Sequence, residues 1–254
     1  MSPFVEALLL GLVQGLTEFL PVSSSGHLAL FQALLGWKDP ASNLAFNIAV
    51  HLGSLAAVLL FVRRELWSMV TTAPRLMLVL ATATLPVAVL GLLLKDAVES
   101  ISSNVAAVGG LLMVTAAILW FASRARDGSH RAPTMPLSRA LAVGFAQVLA
   151  ILPGVSRSGA TLAASLRVGL EREQAVRFAF LMAVPAIGGA GLLLLRDGLP
   201  RQADGMQMIA GGAVSFLASL LAMRVMVGVV VRKRLFGFAL YCAGAGLVAI
   251  VAGR

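Results

Sequence analysis

The residues able to do chemistry on a charged group fall in two short stretches of this 254-residue chain. The first holds Gln14, Thr17, Glu18, Pro21-Val22-Ser23-Ser24-Ser25-Gly26 and His27; the second runs Pro153-Gly154-Val155-Ser156-Arg157-Ser158-Gly159 and is followed by Thr161. Gln14 and Glu18 are four apart, so on a helix an amide and a carboxylate share one face. That pair is a start for a hard divalent cation, Mg2+ or Ca2+, which takes oxygen ligands and would draw the remainder from phosphate oxygens. The same residues also permit plain helix packing, with Gln14 bonded to Gln147 and Glu18 neutralised by Arg157. His27 follows Ser24 by three, within reach of a hydroxyl–imidazole contact. Such a contact suits a nucleophilic serine with a general base, or an acid that protonates a leaving phosphate.

The second stretch combines hydroxyls, free backbone N–H groups and the guanidinium of Arg157, whose planar fork suits phosphate oxygens. Gly154 and Gly159 let backbone approach closely, and the helix that follows aims its positive end at the same point. Ser23, Ser25 and Gly26 of the first stretch and Gly154, Ser156, Ser158, Gly159 and Thr161 of the second are therefore candidate substrate contacts, around Glu18, Ser24, His27 and Arg157 as candidate catalytic groups. His51, near Asn47 and Ser54, fits either a structural hydrogen bond between helices or a substrate contact. His130, in a basic loop, reads as solvated, and Cys242, the single cysteine, as packed or lipid-facing filler. Gly188-Gly189-Ala190-Gly191 and Gly211-Gly212 read as close helix packing.

The elements that must position these groups are membrane helices. Hydrophobic residues make up 59% of the chain and charged ones 12%, far from a soluble domain. Mean hydropathy is +0.93. Six apolar runs of spanning length lie at about 44–62, 76–94, 104–122, 177–195, 207–231 and 235–253. Two more, at about 3–36 and 140–170, are interrupted by the Ser-Gly stretches, and each reads as a re-entrant hairpin of two half-helices. Residues 1–20 lack the basic start of a cleaved signal peptide, and no linker divides the chain, so one integral membrane domain over 1–254 is expected. The net charge of +9 does not point to nucleic acid, because the basic residues sit in short loops without aromatic interleaving.

Loop charge sets the orientation. Arg63, Arg64 and Arg75, then Arg124, Arg126, Arg131 and Arg139, then Arg232, Lys233 and Arg234 follow the first, third and fifth spans and fall on one side, the cytoplasmic one by the positive-inside rule. Arg167, Arg172 and Arg177 join them if both hairpins return to their side of entry; Lys38, Lys95, Arg196, Arg201 and Arg254 then face out. The first hairpin enters from outside and the second from the cytoplasm, so the halves, about 1–122 and 134–254, are inverted repeats. At a constant offset of 133, Gly11 matches Gly144, Gln14 Gln147, Leu16 Leu149, Val22 Val155, Ser23 Ser156, Ser25 Ser158 and Gly26 Gly159. Broken helices in inverted repeats place an anion site near the midplane.

Gln14-Gly15-Leu16-Thr17-Glu18 with Ser24-Ser25-Gly26-His27, and Pro153-Gly154-Val155-Ser156-Arg157-Ser158-Gly159-Ala160-Thr161, strongly resemble the two motifs of the undecaprenyl-diphosphate phosphatases of the bacitracin-resistance (UppP) family. The resemblance runs end to end. It implies hydrolysis of the terminal phosphate of a polyprenyl diphosphate, recycling the lipid carrier of cell-wall synthesis in the bacterial inner membrane, with a divalent cation assisting. By position it assigns key roles to Glu18, Ser24, His27 and Arg157, with Gln14, Ser156 and Thr161 in support. Gln14 takes the uncharged of two options at its position, and Asn47 and His51 stand where the pattern places an acidic residue and a glutamine.

Two function classes remain to be separated. A flippase or anion transporter uses the same inverted-repeat architecture. It needs the oxyanion cradle but not a Glu and a His beside a hydroxyl, and that surplus favours a hydrolase. The site is expected to open to the outer face. The partners expected are the polyprenyl diphosphate lipid and the membrane, with no nucleic acid; a homodimer is left open.

Overall fold

The computed structural model describes residues 1–37, 40–93, 101, 104–196 and 204–253. Its regular elements there are helices: α1 Pro3–Phe19, α2 Ser24–Leu34, α3 Pro40–Phe61, α4 Arg63–Thr71, α5 Pro74–Leu93, α6 Val105–Ser123, a single 3-10 turn, α7 Leu137–Leu149, α8 Arg157–Arg167, α9 Arg172–Arg196, α10 Gly205–Val231 and α11 Phe236–Ala252. The chain is an all-α, multi-pass membrane protein. Lys38, Lys95, Arg201 and Arg254, assigned above to the outer side, lie outside the described residues.

Five helices are long and apolar enough to cross a bilayer, from α3, α5, α6, α9 and α10. The sixth expected span is α11, which has 17 residues and so reaches about 26 Å at 1.5 Å per residue. It falls at the lower end of spanning length. The loop expected after the first span instead contains α4, a short helix rich in polar residues whose Trp67 and Val70 are exposed.

Both interrupted stretches break as their residues require. Proline disfavours helical geometry in the residue before it, and Leu20, ahead of Pro21, is extended with φ −74° and ψ 146°. Ser23 then takes φ 71°, a left-handed conformation uncommon outside glycine. The second break turns on Gly154, with φ 104°. Each break ends earlier than its motif suggests: α2 begins at Ser24 and α8 at Arg157, so Ser24, Ser25, Gly26, Arg157, Ser158 and Gly159 sit on helix first turns.

Small residues let the helices close on one another, as membrane interfaces require. Gly11 and Gly15 of α1 lie against the backbone of Gly211 and Ser215 in α10, and Gly53 of α3 lies against Gly212. Gly144 of α7, the offset partner of Gly11, lies against Ala83 and Pro86 of α5. Gly109 of α6 and Gly246 of α11 face each other. Gly211 and Gly212 thus pack as expected. The 188–191 stretch does not: a Cβ on Gly188 would come no closer than 4.0 Å to Leu55, and Gly189 has open space around it.

Under the breaks, Phe180 of α9 meets both Phe19 and Phe61 edge-on, with ring centroids 5.6 Å apart in each pair. Phe19 and Phe180 belong to the main buried cluster, Phe61 packs against it, and together they give the first break a rigid floor. His130 is not freely solvated. It is half-buried, and its backbone exchanges hydrogen bonds with Gly169 and Glu171, tying the loop after α6 to the loop after α8.

Candidate active site

The two breaks meet. Ser158 Oγ donates to Leu20 O at 2.9 Å, and a Cβ on Gly159 would sit 3.4 Å from that of Pro21. Across this seam Arg157 Nη2 donates to Glu18 Oε1 at 2.7 Å, joining residues 139 positions apart. The other carboxylate oxygen, Oε2, accepts from Ser24 Oγ at 2.6 Å and from Gln14 Nε2 at 2.9 Å. Glu18 is 7% exposed, so its charge is tolerable only because a guanidinium, a hydroxyl and an amide all face it.

Glu18, Ser24 and Arg157 line a cavity of about 190 Å³ with Thr17, Ser23, Ser25, His51, Ser156 and Ser158, walled by Ala186, Ile187 and Ala190 of α9. It is large enough for a phosphate group and a few waters at ~30 Å³ per water. Two helix N-termini end on it. Ser156 caps α8 by accepting from Gly159 N at 3.2 Å, whereas Ser23 makes no such cap on α2. The first-turn N–H groups of α2 therefore remain available to an anion, as helix starts generally leave them.

Other motif residues support this cavity without entering it. Gly154 O accepts from Thr115 Oγ1 at 2.8 Å, and the same Oγ1 accepts from Ser156 N at 3.0 Å. A Cβ on Gly154 would lie 2.5 Å from Val108 O, so glycine is needed there for contact with α6 as well as for its backbone conformation. Thr161 Oγ1 is turned back to Arg157 O at 2.8 Å within α8. Gly26 faces Val108 of α6, with 3.5 Å to a built Cβ. Gly26, Gly154, Gly159 and Thr161, expected as substrate contacts, shape the breaks and are not among the residues that line the cavity.

The Ser24–His27 pair expected from spacing is not formed. Ser24 is held by Glu18, while His27 Nδ1 bonds Ser23 O at 2.9 Å and its Nε2 lies 2.6 Å from Tyr241 Oη. A carbonyl only accepts, so Nδ1 carries the proton and Nε2 receives the tyrosine hydroxyl. Tyr241 stacks on the ring at 5.6 Å between centroids. Beside it, Cys242 is buried with Sγ 3.5 Å from Pro21 O, so it is packed against the first break rather than lipid-facing. Gln14 does not reach Gln147, whose amide has no hydrogen-bond partner.

His51, left open by the sequence, points into the cavity: its Nδ1 bonds Asn47 O at 2.7 Å and its Nε2 is 3.9 Å from Glu18 Oε2. Thr115 and Tyr241 are the residues that sequence reasoning missed. Neither lies in a motif; the sole tyrosine of an apolar chain is the one visible signal. As for a cation, no group of three or more His, Cys, Asp or Glu is placed to hold one among the described residues. Gln14 Oε1, however, is buried without a partner while the Nε2 of the same amide faces Glu18 Oε2; turning the amide over would set Oε1 beside the carboxylate, the oxygen-donor pair that a hard cation takes.

Comparison with known proteins gives the family. The model of the bacitracin resistance protein BacA family matches residues 7–248. The chain belongs to that family. It is 38% identical to an undecaprenyl-diphosphatase of Desulforapulum autotrophicum over 98% of both chains. One from Syntrophotalea carbinolica is 40% identical over 94% of this chain and 95% of its own. One from Methanosphaera stadtmanae is 35% identical over 99% and 98%. Membership spans both breaks and every helix that contacts them.

Proposed function

We propose that this family member hydrolyses undecaprenyl diphosphate, or a similar polyprenyl diphosphate, to the monophosphate and inorganic phosphate, and so recycles the cell-wall lipid carrier. The observation that carries this reading is the convergence of Glu18, Ser24 and Arg157 on one cavity capped by two helix N-termini. Arg157 spends only one of its several N–H donors on Glu18 and keeps the rest for phosphate oxygens. With the N–H groups of α2 and the hydroxyls of Ser23, Ser25, Ser156 and Ser158, it offsets negative charge on the transferring phosphoryl, the main task in such reactions.

The 2.6 Å bond from Ser24 to Glu18 favours Ser24 as nucleophile, with Glu18 as its base. Ser24 Oγ attacks the terminal phosphorus, its proton passes to Glu18, and the bond to the bridging oxygen breaks, releasing the polyprenyl monophosphate. Water then attacks the phosphoserine, and inorganic phosphate leaves as Ser24 regains its proton. His27 acts from behind the break, where Tyr241 and Ser23 fix its ring. Gln14 Oε1 and Glu18 would hold Mg2+ or Ca2+, which adds positive charge beside the phosphates when bound.

The site stands between inverted halves in this reading. The exchange of neighbours supports it: α1 lies on α10 as α7 lies on α5, through the offset partners Gly11 and Gly144. By loop charge, the first hairpin enters from outside a bacterial inner membrane and the cavity opens to the outer face. A polyprenyl-phosphate flippase or transporter would have no use for the Ser24–Glu18 bond. Phosphate release from polyprenyl diphosphate in detergent, with and without chelator, tests the proposal. Wild type should turn over, and Arg157→Ala and Glu18→Gln should lose activity by a hundredfold or more, on the order of a missing electrostatic group. No release by folded wild type would overturn it.

A further inference from the structure

A second polar cavity, of about 530 Å³, lies well away from the breaks, where the end of α3 and the start of α4 meet α9 and α10. Four arginines line it, Arg63, Arg64, Arg177 and Arg224, against two glutamates, Glu65 and Glu173. Both glutamates are taken by one arginine: Arg177 bonds Glu65 at 2.7 Å and Glu173 at 2.9 Å. Arg63 makes a single hydrogen bond, to Leu60 O at 2.9 Å. Arg64 and Arg224 have no hydrogen bond or ion pair among the described residues. Among the described residues the lining thus keeps an excess of positive charge, four arginines against two glutamates.

Arg224 is the informative member. It is the one charged residue of the 27-residue α10, seven positions before the helix ends, and it is exposed. A guanidinium inside an otherwise apolar span is costly and marks a function by default. Seven positions is about 10 Å at 1.5 Å per residue, so its long side chain reaches towards the interface at the α10 C-terminal end, where an anion would meet it. The rest of the lining states which anion: Leu60, Phe61 and Leu220 provide an apolar wall beside the arginines. A charged head next to an apolar wall, at the ends of spanning helices, is the shape of a lipid with a phosphate headgroup.

We propose that this cavity binds the phosphate headgroup of an anionic membrane lipid, in the leaflet on the side of the basic loops. Arg64 and Arg224 grip the phosphate, Arg63 adds charge from the rim, and the acyl chains lie along Leu220 and Phe61. Arg177, already paired, serves as the structural post that fixes α4 to α9. The site is separate from the Glu18 cavity and shares none of its residues.

Full-length protein in nanodiscs of phosphatidylcholine, titrated with phosphatidylglycerol, tests this by native mass spectrometry and thermal unfolding. Wild type should retain phosphatidylglycerol and gain stability with it. R64Q/R224Q should bind it about fivefold more weakly per arginine removed, from the usual worth of a basic residue at an anionic surface. Its phosphate release in pure phosphatidylcholine should match wild type, which shows that it folds. R126Q/R232Q removes the same charge from loops outside the cavity and should bind as wild type does. Equal loss in that control would mean diffuse attraction and would overturn the proposal. So would inorganic phosphate stabilising detergent-solubilised wild type, but not R64Q/R224Q, as well as the lipid does, since phosphate held in the Glu18 cavity would stabilise both. If R64Q/R224Q fails to fold, R224Q alone decides, and unchanged lipid retention by it refutes the site.

Discussion

Replacing Thr115 by valine tests whether the second break is held from outside its own motif. Thr115 is 1% exposed, and its hydroxyl serves two backbone groups at once, donating to Gly154 O at 2.8 Å and accepting from Ser156 N at 3.0 Å. Valine keeps the branched shape but lacks the hydroxyl. Both backbone groups then lose their partner in a buried place, at about 1–3 kcal/mol each, or about 2–6 kcal/mol together. Relaxation of the break would relieve part of this cost by moving Arg157, the next residue after Ser156, away from Glu18. A misplacement near 1 Å costs on the order of a hundredfold in rate. The expected result is therefore a lower unfolding temperature together with a ten- to hundredfold fall in phosphate release, on the order of that misplacement cost. Thr115→Ser keeps the hydroxyl and loses one methyl group, at about 1 kcal/mol, so it should restore most of the activity. The assays are thermal unfolding in detergent and steady-state phosphate release. Wild-type stability and turnover in the valine variant, or failure of serine to rescue, would show that this hydroxyl does not hold the break.

Three further outcomes follow from neighbouring contacts. Tyr241→Phe removes the hydroxyl that fixes His27 Nε2 but keeps the stacked ring, so kcat should fall roughly tenfold, the scale of a misoriented acid–base group, with KM little changed. An unaltered kcat would place His27 outside the reaction. Gln14→Glu puts a second carboxylate where the amide now donates to Glu18 Oε2. It should tighten divalent-cation binding, read by calorimetry, and lower stability in chelator, because two carboxylates then crowd without a cation. Asp127, exposed in the loop after α6, is held below the usual carboxylate range by hydrogen bonds from Lys233 and Arg172. A lowered folded value means that its support is present at neutral pH and is lost as pH falls through that value. The stability difference between wild type and Asp127→Asn should therefore shrink below about pH 4 and in molar salt.

What the sequence by itself determined is local and covalent. Pro21 and Gly154 dictate where helices cannot continue, and the four-residue spacing of Gln14 and Glu18 puts them on one face whatever surrounds them. Apolar runs located the membrane helices, because hydrocarbon demands such runs, and missed only what is short: α4, and the modest length of α11. Sequence offered the Glu18–Arg157 pair only within an alternative packing reading, beside a Gln14–Gln147 contact that does not form; the meeting of the two breaks made the ion pair. Choices among several near partners were not legible. Ser24 has both His27 and Glu18 within reach of its spacing, and packing gave it to Glu18 because Tyr241, 214 positions beyond His27, takes the imidazole. Thr115 is one of many hydroxyls in apolar helices until α6 is laid against Gly154. His51 faces the cavity rather than lipid only because α3 is rotated by its contact with α10 at Gly53 and Gly212. Periodicity fixes a face relative to its own helix axis; which neighbour that face meets is decided by close packing between segments far apart in the chain.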